Sequence, residues 1–164
     1  MGRKAPDPLA DPAPLIRRVY AYVAYRIGDG PEAEDVSSEV FERAIRYRWS
    51  YNPDKAAPIT WLMAIARSVL ADRGRGHASS VAEEAIDLAD PLDVEGESVQ
   101  RLDLQAAVAQ LSERDRELIG LRYGADLTAA QIAELLESEP HAVEVSLSRA
   151  VSRLRSFAAV GSDL

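Results

Sequence analysis

Apolar residues recur throughout this chain of 164 residues at intervals of three and four, which is the spacing of one face of an α-helix. One such apolar stripe runs through residues 15–27 and another through residues 140–155. The alternation of apolar and polar residues that marks a half-buried β-strand occurs nowhere in the sequence. We therefore predict an all-α fold.

Proline, glycine and capping residues divide this pattern into separate helices. Gly28 and Pro31 interrupt it after the first stripe, and the sequence from Thr128 to Gln131 has the form of a capping box that opens a later helix. Pro140 suits the first turn of the last helix, because a residue at that position needs no N–H for a helical hydrogen bond. The predicted helices are 15–27, 32–48, 59–73, 99–111, 112–123, 128–137 and 140–155.

The charges are distributed unevenly, and their distribution predicts how the helices are grouped. The net charge is −8, and residues 78–100 contain seven acids and no base. Those acids repel one another and the few apolar residues among them cannot form a core, so a flexible acidic linker is predicted between two small helical domains. A more specific alternative is that this acidic segment imitates the charge of nucleic acid or binds in a basic channel of a partner. The predicted organisation is a disordered tail (1–14), a first domain (15–77), the linker (78–98), a second domain (99–158) and a C-terminal tail (159–164).

Composition argues against several classes of site. The chain has no cysteine and only two histidines, His77 and His141, which disfavours a disulfide framework, a zinc site and a cysteine nucleophile. No apolar run approaches the length of about 18 residues that spans a bilayer. No apolar segment follows Arg3 and Lys4 as it does in a secretory signal. We therefore expect a cytoplasmic protein that inserts into no membrane and uses no metal or cofactor.

The last two helices have the lengths and the short connection of a helix-turn-helix, a motif that places its second helix in the major groove of DNA. With Val143, Leu147 and Leu154 facing inward, hydrogen-bonding and cationic side chains face outward, as contacts to bases and phosphates require. A plain helical hairpin with a solvated face remains the alternative at this point. A pI of 4.8 argues against tight DNA binding by the chain alone, but not within a complex that supplies positive charge. The outward residues are His141, Val145, Ser148, Arg149, Ser152 and Arg155.

Four longer stretches of the sequence carry a family resemblance: LSERDRELIGLRYGADLTAAQIAELL, VSLSRAVSRLR, PEAEDVSSEVFERAI and ITWLMAIARSVLADRGR. The first two resemble the DNA-binding region 4 of the extracytoplasmic-function sigma factors, the smallest members of the bacterial sigma-seventy family. The third resembles their region 2.2, and the fourth resembles their regions 2.3 and 2.4. The order and spacing match as well. The resemblance implies a protein that binds core RNA polymerase, directs it to promoter DNA, catalyses no reaction itself and has an anti-sigma factor as a partner.

The resemblance also implies roles for individual residues. Region 2.2 supplies the surface that binds core polymerase, regions 2.3 and 2.4 bind the −10 promoter element, and region 4 binds the −35 element. By position, the core-polymerase surface is Asp35, Ser38, Glu39 and Glu42; the −10 residues are Tyr51, Asn52, Lys55, Trp61, Arg67, Ser68, Asp72, Arg73 and Arg75; and the −35 residues are Thr128, His141, Val145, Ser148, Arg149, Ser152, Arg153 and Arg155.

The chain departs from the family at several positions, most of all in region 4. Glu137 stands where the turn usually has Gly, Ser138 where Ile is usual, Glu144 where Lys or Arg is usual, and Ser146 where Arg is usual. Two cations are lost and one anion is gained, which predicts weakened or altered recognition of the −35 element. Region 2 also departs from the family: Ser38 stands where Gln is usual, Ile45 where Trp is common, Ala64 where a basic residue is common and Ser68 where Asn is common.

Two other functions compete with promoter recognition. A sigma-like decoy binds an anti-sigma factor without reading promoters. It is suggested by the acids Glu137, Glu139 and Glu144, and it is disfavoured by the retained DNA-reading residues Trp61, Arg67, Arg73 and Arg75. An enzyme is disfavoured because the sequence contains no metal-ligand cluster, no Gly-rich phosphate loop and no pairing of a nucleophile with a base.

Overall fold

The computed structural model of the protein describes residues 6–76 and 103–162. These residues form α-helices joined by turns, and they contain no strand, which confirms the all-α prediction. The linker predicted over 78–98 lies outside the described residues. The helices are α1 (Pro12–Ile27), α2 (Pro31–Tyr47), α3 (Pro58–Gly76), α4 (103–109), α5 (Glu113–Ile119), α6 (Ala129–Leu135) and α7 (Pro140–Ser162), with a 3₁₀ turn (Arg48–Ser50) after α2 and a π-turn (Gly120–Gly124) after α5.

Two helices extend into segments for which tails were predicted. Helix α1 begins at Pro12, within the predicted disordered tail 1–14, because a proline there loses no hydrogen bond and already has a helical φ. Helix α7 continues beyond its predicted end at residue 155 to Ser162. The added turns are held by tertiary contact, since Phe157 packs against a small core that includes Ile119 and Ala150.

Helix α1 lies at the centre of the fold and packs on two sides. One side contacts α2 and α3, and the other contacts α5 and the π-turn. Val19 and Tyr22 of α1 are fully buried in one hydrophobic core together with Leu62 of α3 and Leu121 of the π-turn. The helices before and after the acidic segment therefore pack directly on each other, an arrangement that the sequence pattern did not predict.

The π-turn brings the second group of helices unusually close to α1. The sequence predicted one continuous helix over 112–123, but α5 ends at Ile119 and its last turn is replaced by the wider π-turn. A Cβ on Gly124 would lie 2.8 Å from the backbone nitrogen of Tyr22, closer than two such atoms can approach. Glycine at this position is thus a condition of the packing.

Helices α6 and α7 form the predicted helix-turn-helix. The capping box at the start of α6 is confirmed: the Thr128 hydroxyl accepts a hydrogen bond from the Gln131 N–H at 3.1 Å, and Gln131 Oε1 accepts one from the Thr128 N–H at 2.9 Å. In the connection between the helices, Glu137 has a φ of 52°. This left-handed conformation explains in physical terms why glycine suits the turn position and why Glu137 is strained there.

Replacing Glu137 by glycine is expected to stabilise the fold. A left-handed backbone costs a non-glycine residue about 1 kcal/mol, and the greater freedom of glycine in the unfolded chain offsets part of the gain. We expect the free energy of unfolding to rise by about 0.5 kcal/mol, measured by urea denaturation followed by circular dichroism. The matched control is Glu134→Gly within α6, which is expected to lower the urea midpoint. A lower midpoint for Glu137→Gly would contradict the assignment of strain.

Candidate nucleic-acid interface

The α2 surface that was predicted to bind core polymerase is acidic and accessible. Asp35, Ser38 and Glu42 are exposed on the side of α2 that faces away from the core. The fourth predicted residue, Glu39, is half-buried and engaged in ion pairs. An exposed acidic surface suits a basic partner, because complementary charge steers association.

Glu39 belongs to an ion-pair network that joins α2 to α3. Its Oε1 atom lies 3.0 Å from Arg43 Nη2, and its Oε2 atom lies 3.1 Å from Arg73 Nε. Arg43 Nη2 also lies 3.1 Å from Asp72 Oδ2, and the hydrogen bond to this carboxylate raises the pKa of Arg43 above its usual value. The network therefore brings one predicted polymerase residue together with two residues predicted to contact the −10 element, Asp72 and Arg73.

Two of the aromatic residues predicted for the −10 site pack within the fold. Tyr51 is only 8% exposed, its hydroxyl donates a hydrogen bond to the Ala56 carbonyl at 2.8 Å, and its burial raises the pKa of the phenol. Its ring meets the half-buried ring of Trp61 edge-on, with centroids 5.4 Å apart. This geometry orders the loop before α3, but it leaves the face of Tyr51 little surface on which a base could stack.

A different aromatic residue is presented beside this loop. Trp49 is 68% exposed, and the Arg48 guanidinium lies over its ring at 4.7 Å from the centroid. An aromatic face with an adjacent cation is the combination that stacks unpaired bases. Sequence reasoning missed Trp49, although its position beside Arg48 at the end of α2 was the available signal. Asn52 and Lys55 are exposed on the following loop.

The remaining −10 candidates on α3 divide into two groups. Ser68 and Arg75 are exposed. Arg67 instead bonds to the second group of helices: its Nε lies 2.5 Å from Glu117 Oε1 in α5, and its Nη1 lies 3.5 Å from the Leu135 carbonyl oxygen in α6. The sequence pattern alone could not place Arg67 at this contact, because its partners lie far along the chain.

Helix α7 exposes most of the side chains predicted for the −35 site. Arg153 is also exposed, at 54%, but its Nη1 donates hydrogen bonds to both carboxylate oxygens of the buried Asp115 in α5, at 3.0 and 2.8 Å. This ion pair fixes α7 against α5 and occupies one terminal nitrogen of the guanidinium. Val145 is half-buried, and the other exposed residues are His141, Ser148, Arg149, Ser152 and Arg155.

Arg153→Ala is expected to destabilise the protein, unlike Arg149→Ala. Removing Arg153 leaves the buried carboxylate of Asp115 without its cationic partner, which costs about 1 to 3 kcal/mol. Arg149 is exposed on the same helix, and its removal should shift the free energy of unfolding by at most about 0.5 kcal/mol. Urea denaturation of both variants checks the difference. Equal urea midpoints for the two variants would show that the ion pair between Arg153 and Asp115 does not stabilise the fold.

The described residues contain neither a metal-binding cluster nor a membrane-spanning helix. Within 6–76 and 103–162, no group of three or more histidine, aspartate or glutamate side chains is arranged to hold a metal ion. In that same part of the chain, no helix is both long enough and apolar enough to cross a bilayer.

Comparison with known proteins identifies both groups of helices. Residues 14–79 match the family model of Sigma-70 region 2, and residues 101–154 match that of Sigma-70 region 4. The two matches lie on either side of the acidic segment and confirm the predicted two-domain organisation.

Several curated relatives are sigma factors of one group. The ECF RNA polymerase sigma factor BldN of Streptomyces coelicolor is 29% identical over 143 residues, which is 83% of this chain and 54% of the relative. The ECF sigma factor SigK of a Mycobacterium species is 30% identical over 129 residues, 74% of this chain and 67% of the relative. ShbA of Streptomyces griseus, another ECF sigma factor, is 32% identical over 136 residues, 77% of this chain and 69% of the relative. The chain thus spans about half the length of BldN and about two thirds of the other two.

A solved structure has the same fold. The sigma factor RpoE of Bartonella quintana, in complex with the anti-sigma factor NepR, superposes with a TM-score of 0.70 at 21% identity, covering 89% of this chain and 92% of RpoE. Both sigma regions, in the family's order, and relatives at 30% identity or more together show that this chain belongs to the extracytoplasmic-function sigma factors of the sigma-70 family.

Proposed function

We propose that the protein is a cytoplasmic sigma factor that binds core RNA polymerase and directs promoter-specific initiation of transcription, without catalysing a reaction. The observation that carries the proposal is the presence of both sigma regions, each with an accessible polar surface. Region 2 presents the acidic face of α2 with Asp35 and Glu42, and region 4 presents Arg149 and Arg155 on the second helix of a helix-turn-helix.

The acidic face of α2 is the surface proposed to bind core polymerase. Its exposed carboxylates fit a basic partner, and changing such a charge chiefly alters the rate of association and its dependence on salt. Glu42→Lys is therefore expected to weaken binding of the full chain to core polymerase by about tenfold at low salt. The matched control is Glu134→Lys, which reverses an equally exposed charge on α6 and should leave the affinity unchanged.

The exposed arginines of α7 are proposed to contact the phosphates of the −35 element. Each phosphate contact contributes about one to the slope of log affinity against log salt. Arg149→Ala combined with Arg155→Ala should thus weaken promoter binding by the polymerase complex and lower that slope by about two. The control pair, Arg17→Ala with Arg114→Ala, also removes two exposed arginines and should change neither quantity.

Run-off transcription with core polymerase and a library of promoter fragments tests the function as a whole. The full chain should confer initiation at a defined set of fragments that core polymerase alone does not transcribe. An anti-sigma factor is proposed as a further partner, in line with the complex that the RpoE neighbour forms with NepR. Binding of an anti-sigma factor without any transcript from the library would favour the decoy and overturn the proposal.

A further inference from the structure

We propose that Glu144 of α7 is a specificity-determining residue, whose carboxylate accepts a hydrogen bond from the N4 amino group of a cytosine in the −35 element. The inference rests on the proposed sigma function and adds to it a base by which region 4 distinguishes promoters. The negative charge of Glu144 is unsuited to contact with a phosphate, so a role for this residue in DNA binding has to come from contact with a base.

Glu144 lies on an exposed stripe of the second helix of the helix-turn-helix. Val143 and Leu147 are buried in the hydrophobic core that α7 shares with α6. A rotation of about 100° per residue places Glu144, Ser148 and Arg155 within an arc of about 40° beside this buried face. All three residues are exposed, and together they form the recognition stripe.

The position of Glu144 along α7 is one from which a side chain reaches base edges. The second helix of a helix-turn-helix inserts its N-terminal residues into the major groove. Helix α7 begins at Pro140, so Glu144 belongs to its second turn. Arg155 lies about three turns farther along, roughly 16 Å, which exceeds the groove width of about 12 Å. The helix can therefore contact a phosphate through Arg155 while Glu144 lies over the bases.

The carboxylate of Glu144 is available to a ligand. Its side chain is 64% exposed, and Oε2 lies 3.9 Å from Nδ1 of His141. That distance is too long for a hydrogen bond, so this contact leaves the lone pairs of both carboxylate oxygens available. An exposed side chain with no close partner in the fold can be replaced with little effect on stability. A change at this position should thus act on DNA binding and not on folding.

The chemistry of the major groove selects the base that Glu144 contacts. A carboxylate only accepts hydrogen bonds, and the groups that donate them in this groove are the amino groups of cytosine and adenine. Adenine also presents its N7 acceptor beside the amino group, and this acceptor repels a carboxylate oxygen. Cytosine presents its amino group without an acceptor of its own. Glu144 therefore favours cytosine.

Substitutions of Glu144 are expected to change which base is preferred at one position of the −35 element. The unmodified chain should prefer cytosine there by about tenfold. Glu144→Ala removes the acceptor and should leave the four bases within about twofold of one another. The amide of glutamine pairs with N6 and N7 of adenine, so Glu144→Gln should replace the preference for cytosine by one for adenine at the same position.

The other exposed acids of the helix-turn-helix provide a matched control. Glu134 lies on α6, and Glu137 lies in the connection between the helices, so neither belongs to the recognition stripe. Glu134→Gln removes the same charge as Glu144→Gln and should change no base preference. Arg149→Ala gives the opposite contrast, because the loss of a phosphate contact should weaken binding to all sequences by a similar factor.

The base preferences are measured with the complex of core polymerase and the full chain. A promoter that this complex transcribes is prepared with its −35 element randomised, the bound fragments are sequenced, and the enrichment of each base is compared between the unmodified chain and each variant. Circular dichroism establishes that every variant retains its helices. We expect the variants of Glu144 to differ from the unmodified chain at the cytosine position and to agree with it elsewhere.

The outcomes separate this inference from the proposed function. Unchanged base preferences in Glu144→Ala overturn the inference, even if this variant binds every fragment more tightly, because a uniform gain means that the carboxylate only repels phosphates. Loss of a preference for a base other than cytosine overturns the assignment of cytosine. Both results leave the sigma function intact. Failure of the unmodified chain to bind or transcribe any promoter with core polymerase overturns the proposed function, and the inference falls with it.

Discussion

Leu62→Ala is expected to lower the free energy of unfolding by about 2 to 5 kcal/mol, the largest change that we predict for a single substitution. Leu62 of α3 is fully buried in the hydrophobic core that also contains Val19 and Tyr22 of α1. The substitution removes apolar contacts and leaves a cavity that a core shared by helices on both sides of α1 cannot readily collapse to fill. Urea denaturation followed by circular dichroism measures the change as a lower midpoint with an unchanged slope.

The control for this prediction is Leu104→Ala. Leu104 is 42% exposed in α4, so the same chemical change should alter the free energy of unfolding by about 0.5 kcal/mol or less. Similar losses for the two leucines would mean that the packing around Leu62 is looser than the structure describes.

Alkaline pH is expected to destabilise the protein through Tyr22. Burial raises the pKa of the Tyr22 phenol from 10.0 to about 12. Between these two values the unfolded chain releases the proton while the folded protein retains it, so the folded state binds more protons and stability falls as pH rises. The contribution is fully present below pH 10 and is lost as pH rises through about 12. A shift of this size corresponds to about 3 kcal/mol for one group.

Tyr22→Phe isolates this contribution. The variant keeps the ring in the core but cannot ionise, so its stability should decline less steeply between pH 10 and pH 12. It will retain a residual decline, because burial and the hydrogen bond to Asp29 also raise the pKa of Tyr20 to about 12. Urea midpoints measured across this pH range check the prediction. Parallel declines in the two proteins would show that Tyr22 ionises without unfolding.

Local sequence signals predicted the helices and their caps. The spacing of Val143, Leu147 and Leu154 predicted the inward stripe of α7; Val143 and Leu147 are buried, and Leu154 is half-buried against the small core around Ile119. The Thr128 to Gln131 pattern predicted a capping box that the structure contains. Such signals are readable because helical hydrogen bonds and caps join residues three or four positions apart.

Partners that are distant along the chain could not be predicted in this way. The resemblance implies a DNA contact for Arg153, and only the structure shows that its guanidinium also pairs with Asp115. The resemblance implies a place for Tyr51 in the −10 site, and only the structure shows that its ring is buried against Trp61. In each case the residue type suits a structural contact as well as a DNA contact, and the structural partner lies on another element that local spacing does not identify.

The order of amino acids by itself determined an all-α chain, the capped helix-turn-helix and the acidic segment, because each of these depends on spacing within one or two turns of helix or on local charge. The sigma regions followed from the resemblance of longer stretches to a family. Tertiary structure alone decided that α1 packs against both regions, that Gly124 permits their close approach and that Glu117 holds Arg67. Those contacts bring together residues up to about a hundred positions apart. Their free energy comes from burying apolar surface on two separate elements at once, and the spacing of residues within one helix does not predict which surfaces will meet.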